Sequence, residues 1–153
     1  MFILKIDDLD KKILYLLSKD SRLSMRELAK RVHLSSPSVT ERVRRLESEG
    51  VLKGYTIEID YKKLGFDVEC FIEVTVRNGQ YIKFNNFINE YPFVEFCYRI
   101  AGKTCYIVKL RLKKIADIEH FINSVNSFAS TETYVVISKN ETKSDYLELE
   151  ELI

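Results

Sequence analysis

The 153 residues contain no tryptophan, two prolines, five glycines, two histidines and three cysteines. Each shortage removes a class of function. Five scattered glycines build no glycine-rich phosphate loop. His33 and His120 stand far apart and form no Ser/His/Asp grouping, so no catalytic residue, no metal site and no cofactor are assigned. Cys70, Cys97 and Cys105 are odd in number, lie in apolar runs and include no CxxC. That argues against zinc and against a disulfide framework, and for a reducing cytoplasm. The longest apolar stretches, such as residues 13–17, are too short to cross a bilayer, so no membrane partner is expected. Residues 1–8 lack the apolar core and cleavage site of a signal peptide.

A large net charge is missing as well, at +1, which on its own speaks against nucleic acid. The distribution says otherwise. Between residues 22 and 45, Arg22, Arg26, Lys30, Arg31, Arg42, Arg44 and Arg45 face only Glu27 and Glu41, a local excess of five positive charges. From residue 141 onward, Glu141, Asp145, Glu148, Glu150 and Glu151 face a lone Lys143, either a short amphipathic helix or a solvated acidic tail. Hydrophobic residues make up 46% of the chain, enough for real cores.

The stretch from Ser36 to Gly50 reads as one helix. Ser36 suits the cap, Pro37 the first helical turn and Gly50 the left-handed stop. Val39, Val43 and Leu46 form the buried stripe, and Pro37, Ser38, Glu41, Arg44, Arg45 and Ser48 fall on the opposite side. That outward face is polar and cationic, which fits a DNA major groove. Before it, Asp7, Asp8 and Asp10 place acids at a helix start, where the macrodipole favours them, and Leu9, Ile13, Leu16 and Leu17 make the stripe behind them. Ser24 and Glu27 form a capping box for a second helix buried through Met25, Leu28, Ala29 and Val32. Two helices joined by three or four residues after a first helix give a helix-turn-helix, plain or winged. Residues 55–59 alternate like a strand, a wing or a connector.

The second half changes rhythm. Residues 68–77 alternate as a half-buried strand, broken by Asn78-Gly79. Tyr81, Phe84, Phe87, Ile88 and Tyr91 are helical in spacing up to Pro92. Two strands, 94–101 and 105–112, join through a tight Gly102-Lys103 turn, followed by a helix over 115–125 and a strand over 131–138. The order β-α-β-β-α-β is the ferredoxin-like arrangement, and the fold class is α+β. Phe96, Tyr98, Ile100, Tyr106, Val108 and Leu110 are expected under the helices. Glu69, Phe71, Glu73, Cys97, Arg99, Ile107, Lys109 and Arg111 are expected on the opposite face, as a subunit interface with cross-paired charges. The expected organisation is a DNA-binding domain (1–54), a strand or linker (55–66), an oligomerisation and effector domain (67–140) and the acidic tail (141–153).

Leu34-Ser35 through Val43, Leu46-Glu47, the run from Gly50 to Tyr55, and Leu64-Gly65 together resemble the signature of the Lrp/AsnC (feast/famine) transcription regulators. The β-α-β-β-α-β half resembles their effector domain, so the resemblance covers nearly the whole chain. Residues 22–28, 37–44 and 95–102 are similar to the LrpC-type members of bacilli. The resemblance implies dimers through the sheet domain, assembled into tetramers or octamers that wrap or bend double-stranded DNA in the cytoplasm, on the nucleoid. It also implies an amino-acid effector held where dimers meet, at a turn in which the family has a Gly and, three residues on, an Asp. Here that run is Gly102-Lys103-Thr104-Cys105, so the acid is replaced by Cys105. Arg99, Tyr134 and Val136 correspond to pocket positions in effector-binding members. Arg99 would suit an acidic ligand. The alternative is an effector-free architectural binder.

For DNA contact, Arg44 and Arg45 suit phosphate or guanine. Ser36, Pro37, Ser38 and Thr40 begin the helix, and Arg22, Arg26, Lys30 and Arg31 ring it as phosphate clamps. Glu41 either accepts from a cytosine amine or, the preferred expectation, pairs with Arg45 four residues on. Some sirohaem decarboxylases resemble this family in fold, yet His33 and His120 read as turn and solvated residues, so no enzymatic activity is expected.

Overall fold

The structure is a computed structural model, and it describes residues 5–139. The expected acidic tail lies outside the described residues. The chain divides between Glu58 and Ile59 into two compact units.

The first unit holds three helices, α1 (Asp8–Lys19), α2 (Met25–Val32) and α3 (Ser36–Ser48). Their starts are fixed by short polar side chains that satisfy free amides. Asp7 caps α1 and Ser24 caps α2, both as reciprocal capping boxes with the residue three positions on. The cap of α3 is Ser35, not Ser36: its hydroxyl accepts from the Ser38 amide, leaving Ser36 as the first helical residue and Pro37 just behind it. The turn between α2 and α3 places His33 in the left-handed region (φ 56°, ψ 43°), a conformation that costs a side-chain-bearing residue about 1–2 kcal/mol. Gly50 ends α3 with φ 69°, where a glycine carries no such cost. Ile13, Leu17, Leu28, Ala29, Val32, Val39, Val43 and Leu46 close one core. Ala29, 3% exposed, lets α2 and α3 approach closely. The segment expected as a strand over 55–59 is not one. It is exposed and forms no ladder among the described residues, and a lone strand cannot satisfy its own amides.

The second unit carries β1 (Val68–Val76), α4 (Tyr81–Glu90), β2 (Val94–Arg99), β3 (Tyr106–Leu112), α5 (Ala116–Val125) and β4 (Ala129–Val135). The strands form one antiparallel sheet in the order β2-β3-β1-β4, the ferredoxin-like topology. Alternate residues of β1 and β3 (Cys70, Ile72, Val74, Val76; Tyr106, Val108, Leu110, Leu112) pack with Phe84, Ile88, Ile118, Phe121 and Val125 of the helices. Phe84 and Phe121 are fully buried. Each such aromatic contributes roughly 1.5–3 kcal/mol of burial.

On β2 the expected faces are reversed. A bulge at Glu95 shifts the register, so that Val94 pairs Leu110 but Phe96 pairs Lys109, Cys97 pairs Val108 and Arg99 pairs Tyr106. One extra residue moves every later side chain to the other face. Cys97 and Arg99 therefore lie on the helix side, and Phe96 and Tyr98 on the opposite side, where Phe96 meets Phe71 at 6.2 Å and stacks on Tyr98 at 4.6 Å. The other residues expected on that opposite face lie there, and several of its charges pair within the chain. Glu69 meets Lys109 (3.2 Å), Arg111 (2.7 Å) and Lys139 (3.1 Å). Glu95 meets Lys109 (3.2 Å) and Arg111. Burial pushes the Glu69 carboxyl up, but Lys139 and Lys109 outweigh it and hold the group below its ordinary value. Farther along β1, Glu73 stands opposite Glu132 of β4.

Candidate nucleic-acid interface

The buried stripe of α3 leaves Ser36, Pro37, Thr40, Glu41 and Arg44 on one outward strip, and these five line a shallow concavity of about 450 Å³. The Thr40 hydroxyl donates to the Ser36 carbonyl (2.8 Å), which fixes its rotamer and leaves its lone pairs outward. Ser38, also exposed, shares a 2.7 Å hydrogen bond with Ser35. Arg44 is exposed and makes no ion pair among the described residues. On α2 and the turn before it, Arg22, Arg26, Lys30 and Arg31 are all exposed. Arg22 reaches Asp20 only loosely, at 3.9 Å. Hydrogen bonds from Ser24 lower the Glu27 carboxyl, with Arg31 and Lys30 helping.

Arg45 behaves differently from Arg44. Its guanidinium pairs with Asp10 of α1, and the expected Glu41–Arg45 pair does not form among the described residues. Arg42, which the sequence reading left without a role, donates to Asp7 (2.6 Å) and to Asp10 (2.8 Å). The Arg42 hydrogen bond, then the Asp10 amide, hold the Asp7 carboxyl below its ordinary value, and Asp7 and Asp10 hold Arg42 more firmly protonated. Asp10 is the one fully buried charged residue among those described. The signal for it was in the sequence. Asp10, Ile13 and Leu17 share the i, i+3, i+7 spacing of a buried stripe, so a carboxylate sits where an apolar residue is expected.

The positions tied to an effector separate into two groups. Arg99 lies over the Tyr81 ring at 4.9 Å, and Cys105 Sγ lies 3.9 Å from the Tyr81 hydroxyl. Gly102 and Thr104 are in the loop between β2 and β3, which spans residues 100–105 rather than a two-residue turn and is closed by the Ile100 amide donating to the Cys105 carbonyl (3.0 Å). Tyr134 and Val136 belong to the other edge and the other end of the sheet. Tyr134 pairs Phe71 on β1, and the Val136 amide donates to the Glu69 carbonyl (2.8 Å). One copy of the domain does not bring the two groups together. Sequence reasoning also missed Tyr81, which joins Arg99 to Cys105. Beside Arg99 a cleft of about 590 Å³ is lined in part by Asn85, Asn89, Cys97 and Tyr106.

Comparison with known proteins agrees with this geometry in both units. A family model described as winged helix-turn-helix DNA-binding matches residues 6–53, and one described as Lrp/AsnC ligand binding domain matches residues 69–145. The HTH-type transcriptional regulator LrpC of Bacillus subtilis is 50% identical over 141 residues, covering 92% of this chain and 98% of that protein. Its solved structure superimposes with a TM-score of 0.87 and covers 92% of this chain and 100% of the other. The feast or famine regulatory protein of M. tuberculosis, solved in complex with L-methionine, is 27% identical with a TM-score of 0.83, covering 93% and 99% of the two chains. With both family models matched in order, and half of the aligned residues shared with a named regulator over nearly its whole length, the chain belongs to the Lrp/AsnC family of transcriptional regulators.

Proposed function

We propose that the chain binds double-stranded DNA through the outward strip of α3, and that its second unit assembles copies and reads a small effector. The observation that carries the DNA reading is Arg44, an exposed arginine without an ion pair among the described residues, set beside Ser36, Pro37, Thr40 and Glu41 in one concave strip. Arg44 is assigned to a guanine edge or a phosphate, Ser36, Pro37, Ser38 and Thr40 to the groove wall, and Glu41 to a cytosine amine. Arg22, Arg26, Lys30 and Arg31 take flanking phosphates. Residues 1–54 form the DNA-binding domain, 55–66 the linker and 67–140 the assembly and effector domain. Replacing Arg44 with Ala is expected to weaken DNA binding and to reduce the slope of log affinity against log salt by roughly 0.9 per lost phosphate contact. Affinity equal to the wild type at every salt concentration overturns the assignment.

For the second unit, the open sheet face with Phe71, Phe96 and Tyr98 is assigned to self-association as dimers, and these to tetramers or octamers. The effector is assigned to a site shared between copies, with Arg99, Gly102, Thr104 and Cys105 from one and Tyr134 and Val136 from another, since a single copy holds them apart. A free amino acid is the ligand class, by analogy with the methionine complex of the M. tuberculosis relative. The second reading is an effector-free architectural protein that wraps DNA, on the nucleoid in the cytoplasm. Cys105 favours it, because a thiol beside Tyr81 offers no carboxylate to a ligand's ammonium group. A thermal-shift screen of the twenty amino acids separates the two, stabilisation by none leaving the architectural one. No reaction is assigned to either, and His120, its ring stacked on Tyr91 at 6.5 Å, is left to packing.

A further inference from the structure

The basic block from Arg22 to Arg45 is less available than its count suggests. Two of its seven cations, Arg42 and Arg45, are drawn back to the start of α1 by Asp7 and Asp10. The Asp10 carboxylate accepts three hydrogen bonds. Oδ1 accepts from Arg42 at 2.8 Å, while Oδ2 accepts from Arg45 and, at 3.1 Å, from the Asp7 amide. Its side chain is fully buried, whereas those of Arg42 and Arg45 remain 26% and 44% exposed. Geometry therefore gives the two arginines unequal surroundings: one end faces solvent and the other is held by an acid that has no water to turn to. A buried carboxylate stripped of its partners is strongly destabilising, so the acid does not release them to a phosphate without cost.

We propose that Asp10 is an intramolecular stand-in for DNA phosphate. It holds Arg45 and Arg42 against the helical core, positions α3 through them, and leaves Arg44 as the principal cation of the groove face. The consequence is a specificity device. Phosphate contacts raise affinity for every sequence alike, whereas base contacts discriminate. Withholding two arginines from the backbone lowers the sequence-independent part of binding and leaves the strip Ser36, Pro37, Thr40, Glu41 and Arg44 to decide. This rests on the DNA reading of α3, and the test separates the two.

The experiment is a salt series of DNA binding by the full chain, on one fixed duplex and on a scrambled one. Asp10→Asn keeps the shape and removes the charge. It is expected to steepen the salt slope by roughly 0.9 for each arginine freed to a phosphate, which is about a 3.5-fold extra change in affinity between 50 and 200 mM salt for one arginine. Affinity for the scrambled duplex should rise more than that for the preferred one. Asp8→Asn removes the same charge from the same turn, at a side chain whose ion-pair partner is Lys11 and not an arginine of α3, and is expected to change the slope by well under half as much. Adding Arg45→Gln to Asp10→Asn should remove about 0.9 of the gained slope.

A folded Asp10→Asn protein with the wild-type slope overturns the proposal, as does an equal effect of Asp8→Asn. Where Asp10→Asn does not fold, the wild-type background decides: Arg45→Gln must cost clearly less slope than Arg44→Ala, and equal losses overturn the proposal. Failure of the DNA reading itself has another signature, Arg44→Ala with unaltered affinity at every salt concentration, and that overturns both.

Discussion

Replacing Glu69 with Gln should cost the sheet unit about 2 kcal/mol, while the same change at Glu73, four residues along the same strand and on the same face, should cost nothing. Glu69 serves three cations, Lys109, Arg111 and Lys139, and its side chain is 13% exposed. Lys109 and Arg111 are similarly enclosed, at 12% and 19%. Removing one partner of a fully buried pair costs roughly 3–5 kcal/mol. Here Glu95 still holds Lys109 and Arg111, and Lys139 is largely solvated, which brings the figure down to about 2 kcal/mol. Glu73 has no cation beside it among the described residues and faces Glu132 across the β1–β4 ladder. Relieving like charges set directly opposite stabilises by up to about 0.5 kcal/mol. The assay is thermal unfolding of the intact chain by circular dichroism. A loss of about 2 kcal/mol lowers the midpoint of a unit this size by roughly 8–16 °C. The pH dependence has a definite sign. The folded Glu69 carboxyl lies below its ordinary value, so its contribution is fully present above the unfolded value of about 4.3 and fades as pH falls through the lowered one. Glu69→Gln lacks that part of the acid loss. A midpoint within 2 °C of wild type for Glu69→Gln, or an equal fall for Glu73→Gln, refutes the reasoning.

Two further outcomes are expected. His33→Gly should stabilise the first unit by about 0.5–1 kcal/mol, the left-handed penalty of about 1–2 kcal/mol less the entropy that glycine loses on folding; urea unfolding reads it, and a loss of stability would show that the exposed imidazole makes a contribution of its own. Burial pushes the Cys70 thiol up to about 11, so at neutral pH iodoacetamide should modify Cys105 well ahead of Cys70. Peptide mapping by mass spectrometry checks the order, and equal labelling contradicts a closed core.

Much of the fold was legible because its signals are local. Asp7, Ser24, Gly50 and Asn78-Gly79 each act within four residues, and the apolar periods of α1 to α5 report burial directly; the cap of α3 falls one residue earlier than read, at Ser35 instead of Ser36. The parts that were not legible depend on long-range partners. Nothing near Asp10 in sequence announces that two arginines more than thirty positions away will close on it, and local spacing instead offered Glu41 to Arg45. The segment 55–59 has the alternation of a strand, but a strand exists only with a neighbour, and none of the described residues supplies one. On the outward strip of α3, helical phase placed Pro37, Glu41 and Arg44 together, while Ser36 and Thr40, read only as residues of the helix start, join them there. Phase alone could not separate Arg44 from Arg45, adjacent in sequence, since their difference lies in what α1 presents. The residues that the resemblance ties to an effector, Arg99 and 102–105 on one side and Tyr134 and Val136 on the other, lie apart in one copy because β2 and β4 are opposite edges of the sheet.

The bulge at Glu95 makes β2 a strand with two competing readings written into it. Were Glu95 paired in regular alternation instead of bulged, Phe96, Tyr98 and Ile100 would swing under α4 and Cys97 and Arg99 would be exposed, the parity that the pattern favours on hydrophobicity alone. The observed parity gives up that burial and gains a carboxylate shared by Lys109 and Arg111 together with an aromatic pair beside Phe71. Glu95 is thus the residue that the bulge absorbs. Deleting it would remove the bulge and still leave Phe96 opposite Lys109 and Cys97 opposite Val108, so both faces keep their residues and only the carboxylate shared by Lys109 and Arg111 is lost.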